Sequence, residues 1–116
     1  MPHIHLETTS DLPENSDVPD ILEALVERLG SQESISPQSV KAYHSLRSVW
    51  AVGPGHPPSI AHCTVMVLEG RSEEQQIRIA DAMIETLKAQ FAASLEAQEA
   101  SVTLEIREMK KSTYRR

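Results

Sequence analysis

Hydrophobic and polar residues alternate along the first segment of the chain, residues 2–9, and this period of two predicts a strand. Apolar residues then recur at helical spacing over residues 18–29, behind a candidate N-cap at Asp17 and before Gly30. Residues 40–50 contain Val, Tyr and Trp and favour a second strand, although their alternation is imperfect. The first half of the chain is therefore predicted as strand, helix, strand.

The second half of the chain repeats this order. Residues 60–68 are apolar at both odd and even positions, which is typical of a strand covered on both faces. Ser72 and Gln75 match a capping box and predict a long helix that runs to about Gln98. Residues 101–109 alternate again and predict a fourth strand. The apolar stripe of the long helix is expected to comprise Ile77, Ala80, Met83, Ile84, Leu87 and Phe91.

The two halves, about residues 2–52 and 60–109, predict an α+β fold with a tandem βαβ repeat in one domain spanning residues 1–116. Right-handed crossovers place both helices on one face of a four-stranded sheet. The opposite face then has no helix to cover it. Because the third strand is apolar on that side as well, we expect this face to be buried against other subunits.

Composition and charge exclude several classes of protein. The chain has 116 residues, of which 40% are hydrophobic and 24% charged, as in ordinary globular domains. A net charge of -6 and only 3% aromatic residues argue against a nucleic-acid partner. No apolar run approaches the roughly 20 residues of a membrane span, and the first residues lack the pattern of a signal peptide. We therefore expect a cytoplasmic protein with no membrane partner, and a lone Cys63 in its core.

Pro2 is the first candidate for chemistry. Removal of Met1, which is usual before so small a residue, exposes a secondary amine at the head of a strand. Ordinary terminal amines titrate near about 8, and burial or a neighbouring cation lowers that value. Such an amine can act as a general base near neutral pH. A proline at the second position is also compatible with no chemical role.

The chain resembles the tautomerase superfamily, and within it the 5-carboxymethyl-2-hydroxymuconate Δ-isomerase family. The resemblance spans nearly the whole chain. It rests on the opening Pro-His-Ile-x-x-Glu, a Leu-Pro or Val-Pro before the first helix, Trp50, the His-x-Thr strand from His62, Gly-Arg-Ser at 70–72 and Phe-Ala-Ala at 91–93. Each of these strings is weak alone, but their joint order and spacing are specific.

The resemblance implies a homotrimer in which the sheets form an inner barrel with the helices outside. It also implies a cofactor-independent 1,3-proton shift in which the Pro2 nitrogen takes a proton from an unsaturated, small anionic substrate and returns it elsewhere. Arg71 matches the arginine of the family's Gly-Arg-Ser string and is expected to bind a carboxylate and stabilise the developing enolate. A solvated loop arginine with a structural role is the alternative.

The second strand departs from the family pattern at Lys41, which stands where the family has another substrate-binding arginine. Lysine keeps the charge but loses the rigid guanidinium fork. Arg47 lies six residues further on, about 20 Å along the same strand face, too far to share one carboxylate with Lys41. Three alternatives stay open for the function. The protein is an isomerase of the family's unsaturated tricarboxylate, a tautomerase of a smaller α-keto acid, or a trimeric binding protein without catalysis.

Histidines raise a further alternative, a metal-dependent enzyme. His3, His5 and His62 on adjacent strands offer three imidazoles, but their spacing is a weak signal and we expect no metal. His62 is instead expected to be hydrogen-bonded in the core or an interface, and His44 and His56 to lie at solvated or loop positions. Tyr43 and Trp50 are candidates for lining a neighbouring subunit's pocket or for simple packing.

The basic tail, with Lys110, Lys111, Arg115 and Arg116, is expected either to be solvated or to contact a neighbour.

Overall fold

The computed structural model describes residues 1–116 and contains four strands and three α-helices. Short 3₁₀ turns at Pro13–Asp17 and Pro37–Ser39 come before the first helix and the second strand. The tandem βαβ order is the one expected. In chain order the elements are β1 (His3–Thr9), α1 (Val18–Gly30), β2 (Lys41–Arg47), β3 (Ser59–Leu68), α2 (Glu73–Gln90), α3 (Ala92–Glu96) and β4 (Ala100–Met109).

The four strands form one sheet in the order β2-β1-β3-β4. Strands β1 and β2 are parallel, as are β3 and β4, whereas the central pair β1 and β3 is antiparallel. His3 therefore lies opposite both Lys41 in β2 and Met66 near the end of β3. The start of β1, the start of β2 and the residues that follow β3 consequently meet at one edge of the sheet.

Alternate residues of the strands pack under the helices and form one hydrophobic cluster. Their spacing explains why these segments become strands, since only a period of two places every second apolar side chain on the same face. Cys63 belongs to this cluster, as expected. The fully or almost fully buried members from β1 and β3 are Ile4, Leu6, Ala61, Cys63, Val65 and Val67, and those from α1 and α2 are Ile21, Leu25, Leu29, Ile79, Met83 and Leu87.

The long second helix differs from its sequence prediction at its end. The capping box of Ser72 and Gln75 is present, but α2 stops at Gln90 instead of continuing to about Gln98. Phe91 leaves helical geometry at φ -111 and ψ 24 and is fully buried, and the short helix α3 follows it. The buried carboxylate of Glu14 accepts hydrogen bonds from the Ser94 backbone N–H and hydroxyl. This contact fixes α3 and joins two residues that are 80 positions apart in the sequence. Local sequence patterns cannot reveal a contact of that kind.

The apolar stripe of α2 is also shifted from the expected one. Ile77 is 52% exposed, so its predicted place in the core was wrong. The buried positions are Ile79, Ala82, Met83 and Leu87. Residues two apart on a helix point in widely separated directions, so Ile77 cannot share the face of Ile79. Met83, Leu87 and Phe91 were predicted correctly.

Two other boundaries differ from the sequence prediction. β2 ends at Arg47 and not at Trp50, because the chain leaves the sheet there and Val49 is 91% exposed. The Trp50 indole N–H donates instead to the carbonyl of Pro58, 2.8 Å away. Asp17 stands at the N-cap position of α1 but makes no side-chain capping bond, since the preceding 3₁₀ turn leads directly into the helix.

The face of the sheet opposite the helices carries half-buried and polar side chains. On β3, Ile60, His62, Met66 and Leu68 are half-buried there, and Tyr43 on β2 is 43% exposed. This face therefore combines apolar side chains with polar ones. None of the helices has the length and apolar character required to cross a bilayer.

Candidate active site

Pro2 is buried at the edge of the sheet where β1 begins. Its carbonyl accepts a hydrogen bond from the backbone N–H of Lys41 at 3.1 Å, which extends the pairing of β1 and β2 by one residue. Buried Ile4 and Leu6 alternate with half-buried His3 and His5, so Pro2 continues the helix-facing row. The backbone around Pro2 is therefore held by a strand and by packing.

Several cations surround this end of the chain. The pKa of the Met1 amino group is lowered, first by burial and then by the charges of Arg71, Arg116 and Lys41. The ion pairs within the chain involve none of these three cations. In a protein with a net charge of -6, unpaired cations gathered at one place create a local region of positive potential.

Arg71 reaches this place from the turn between β3 and α2. Gly70 has φ +119, a conformation that side-chain-bearing residues rarely adopt, and so allows the sharp turn before the α2 cap. The Arg71 guanidinium donates through Nε to the Ser34 hydroxyl at 3.0 Å, through Nη2 to the Ser34 carbonyl at 2.8 Å and through Nη1 to the Leu68 carbonyl at 3.2 Å. Arg71 thus links three segments, and two of its five N–H groups remain for another acceptor.

Lys41 opens β2 and is exposed, opposite His3 in the sheet. Burial, and next the charge of Lys41, lower the pKa of His3. Arg47 lies at the far end of β2 and donates through Nη2 to the Glu7 carboxylate at 2.6 Å. This bond holds the pKa of Glu7 below its usual range. Lys41 and Arg47 therefore belong to different ends of the sheet, as their spacing predicted.

The carboxyl-terminal tail folds back onto the same edge, which sequence reasoning missed. The Lys111 backbone N–H donates to the Glu69 carboxylate at 2.7 Å, and the Tyr114 hydroxyl lies 3.0 Å from His3 Nε2. An open cavity of about 240 Å³ lies here, lined by Met1, Leu68, Lys111, Tyr114 and Arg116. The basic composition of the tail was the available signal, but it does not reveal this fold-back.

The three histidines of the metal alternative do not assemble into a site. His3 bonds with Tyr114, His5 Nε2 lies 2.8 Å from the Ser45 hydroxyl, and His62 lies close to Thr103 and Glu105. No group of three or more histidine, cysteine, aspartate or glutamate side chains has an arrangement that could hold a metal ion. The hydrogen-bonded role expected for His62 is what the structure contains.

His44 differs from its expected solvated position. It is half-buried on the helix-facing side of β2, and its Nε2 lies 2.7 Å from the hydroxyl of Thr8. Burial, followed by the charge of His5, lowers its pKa. His56 lies exposed in the loop before β3, as expected.

A second cavity, of about 260 Å³, opens at the other end of β1. Its lining residues include Glu7, Arg47, Val49, Trp50 and His62. Because the antiparallel pairing of β1 and β3 separates the two ends of the sheet, this cavity does not join the cationic edge near Pro2. A role for Tyr43 or Trp50 in the pocket of a neighbouring subunit stays a prediction.

Comparison with solved structures defines the class of protein. The chain superposes on native fused 4-OT with a TM-score of 0.75 at 15% identity, over 98% of this chain and 91% of that one, a likeness of fold alone. It superposes on the crystal structure of a 5-carboxymethyl-2-hydroxymuconate isomerase from Deinococcus radiodurans R1 with a TM-score of 0.88. Identity there is 26%, over 99% of this chain and 87% of that one. The fold is that of the tautomerase superfamily.

Sequence comparison is more specific. The profile of the 5-carboxymethyl-2-hydroxymuconate isomerase family matches residues 2–116. The chain is also 24% identical over 110 residues to the 5-carboxymethyl-2-hydroxymuconate Delta-isomerase of Escherichia coli, covering 94% of this chain and 87% of that relative. The chain belongs to the 5-carboxymethyl-2-hydroxymuconate isomerase family and is an isomerase.

Proposed function

We propose that this isomerase uses Pro2, exposed by removal of Met1, as the general base of a 1,3-proton shift in an unsaturated dicarboxylate or tricarboxylate such as 5-carboxymethyl-2-hydroxymuconate. The observation that carries the proposal is the set of unpaired cations around a partly buried amino terminus. Such a substrate is made in aromatic catabolism, and no cofactor takes part.

The environment of the amino terminus supports a base role for Pro2. Burial and then Arg71, Arg116 and Lys41 lower the pKa of the Met1 amine. Removal of Met1 moves the terminal nitrogen one residue inward, to a buried residue, where the same causes act on a secondary amine. A neutral amine near pH 7 can take a proton from the dienol or from carbon beside a carbonyl. It then returns that proton at a new carbon, so the enzyme ends unchanged.

The charges at this edge fit the substrate. The transferred proton leaves electron density on the carbonyl oxygen, and a fixed cation at that position lowers the barrier. In this proposal Arg71 uses its two remaining N–H groups for a substrate carboxylate or the developing enolate. Lys41 supplies a further positive charge from the first residue of β2.

Assembly is part of the proposal. A solved structural neighbour is described as an asymmetric trimer of fused 4-OT. In this chain, the sheet face that lacks helices offers a surface for assembly. We therefore propose a homotrimer formed by single domains of residues 1–116, with the open sheet faces inside. The cytoplasmic location and the lack of nucleic-acid or membrane partners stay predictions.

Isomerisation followed by ultraviolet absorbance tests the proposal. Tag-free protein is prepared, and its intact mass establishes that Met1 has been removed. Turnover of 5-carboxymethyl-2-hydroxymuconate is expected for the processed protein. Pro2→Ala is expected to lose most activity, because a primary amine is less rigid and differs in basicity. Protein that retains Met1 is the matched control, since its Pro2 nitrogen is an amide without basicity.

Three outcomes separate the alternatives. Equal rates for Pro2→Ala and the parent contradict the base role. Absence of turnover with this substrate, together with proline-dependent turnover of a smaller enolpyruvate, assigns the Lys41 position to a changed specificity. A processed trimer without activity on either substrate favours a binding protein of the same fold.

A further inference from the structure

The carboxyl-terminal tail, residues 110–116, is tied to the rest of the chain at two points. Lys111 is fixed through its backbone N–H to Glu69, next to Gly70. A Cβ placed on Gly70 would lie 3.2 Å from the Lys111 Nζ, so the lysine side chain packs over this glycine. Tyr114 is fixed by its hydroxyl to His3 and by an edge-to-face contact of the two rings with centroids 6.1 Å apart. The tail is thus ordered beside the start of β1.

The space next to this tail is filled in part by Met1. Met1 is half-buried and lines the cavity of about 240 Å³ together with Leu68, Lys111, Tyr114 and Arg116. Because Met1 is bonded to the Pro2 nitrogen, its removal extends the cavity to that nitrogen. A ligand that reaches the Pro2 amine then lies beside the tail residues that line this cavity, and Arg71 is among the cations close to the terminal amine.

The tail presents cations to this space. Lys111 and Arg116 line the cavity, and neither forms an ion pair within the chain. A guanidinium binds a carboxylate through two parallel hydrogen bonds, and an arginine on an anchored segment loses less side-chain freedom when it does so. The two N–H groups that Arg71 has left suffice for one carboxylate, and Lys41 is a point charge without a guanidinium fork, so a second carboxylate held by two parallel hydrogen bonds requires another arginine.

We propose that Arg116, with Lys111 beside it, binds a second carboxylate of the substrate and so determines the preference of this site for dianions over monoanions. The proposal rests on the proposed function, since it assumes that the substrate approaches the Pro2 amine. Arg116 is a specificity-determining residue in this account and takes no part in the proton transfer. Tyr114 positions the tail through His3.

Equilibrium binding to the processed protein tests this inference without requiring turnover. The probes are trans,trans-muconate and sorbate, which share a six-carbon diene chain and differ by one carboxylate. Arg116→Gln is compared with Arg115→Gln, which removes the same charge one residue away from a side chain that does not line the cavity. We expect Arg116→Gln to weaken muconate binding about tenfold or more and to leave sorbate binding unchanged. Arg115→Gln is expected to change neither.

Equal losses for both probes, or the same loss in both variants, overturn the inference, as does failure of the parent protein to bind muconate more tightly than sorbate. Turnover distinguishes this failure from that of the proposed function. Proline-dependent isomerisation with an unchanged KM in Arg116→Gln removes the role of Arg116 and leaves the base intact. Selective loss of muconate binding in a protein without proline-dependent turnover supports the anion site and removes the general base.

Discussion

Substitution of Arg71 is expected to reduce both stability and catalysis. The loss of stability comes from lost hydrogen bonds, and the loss of catalysis from a lost positive charge. The guanidinium joins the loop before β2, through Ser34, to the end of β3, through the Leu68 carbonyl. A typical hydrogen bond contributes about 0.5–1.5 kcal/mol net, so Arg71→Ala is expected to cost about 1–3 kcal/mol after allowance for partial exposure. For a chain of this length that corresponds to a fall in Tm of roughly 4–12 °C.

The catalytic effect of Arg71→Ala has a different size. If Arg71 stabilises negative charge in a water-excluded transition state, its loss costs about 3–4 kcal/mol, or roughly 100-fold to 1000-fold in kcat/KM. Ser34→Ala removes the hydroxyl that accepts from Nε but keeps the guanidinium, and so serves as the matched control. It is expected to lower Tm by only a few degrees and to leave kcat/KM nearly unchanged.

Thermal denaturation and steady-state kinetics on the same preparations provide the comparison, at a temperature well below the Tm of each variant. A lowered Tm with unchanged kcat/KM in Arg71→Ala assigns this residue to structure alone and refutes the catalytic part of the reasoning. An equal loss of kcat/KM in Ser34→Ala attributes the kinetic effect to the loop and not to the charge.

Three further predictions concern stability and reactivity. Phe91→Ala is expected to lower the free energy of unfolding by about 3–5 kcal/mol, because this fully buried ring fills the junction of α2 and α3. Urea denaturation measures this loss, and a loss below about 1 kcal/mol contradicts that packing role. Because the pKa of His44 is depressed in the folded protein, the unfolded chain binds more protons, and stability should decline as pH falls below about 6.5. His44→Asn should flatten this dependence of the free energy of unfolding on pH; an unchanged dependence assigns the effect to other groups. Burial raises the pKa of Cys63 to about 12, so the native protein should resist a thiol reagent at pH 8 until denaturant is added; rapid native-state labelling contradicts this.

The sequence predicted those parts of the fold that depend on local periodicity. Alternation in β1 and β4 and helical spacing in α1 placed the elements, since burial of one face of each is enough to select its geometry. The break at Phe91 was not predictable in this way. The segment after it is rich in alanine and has a high helix propensity, and the break depends on the distant contact between Glu14 and Ser94.

The candidate site shows the same division. The parallel pairing of β1 with β2 brings Lys41 beside the start of the chain, and the antiparallel pairing with β3 brings the turn that carries Arg71 to the same edge. The family resemblance named these residues in advance. The fold-back of the tail onto His3 through Tyr114 depends on a contact across 111 residues, for which no periodic signal exists.

The most direct test of the central claim is the titration of the Pro2 amine by NMR on processed, proline-labelled protein, beside the pH profile of kcat/KM. We expect a pKa below the ordinary value of about 8, with kcat/KM rising through that same pKa as the amine loses its proton. An amine that titrates at or above the ordinary value, or activity that does not follow its deprotonation, would contradict the role of Pro2 as general base.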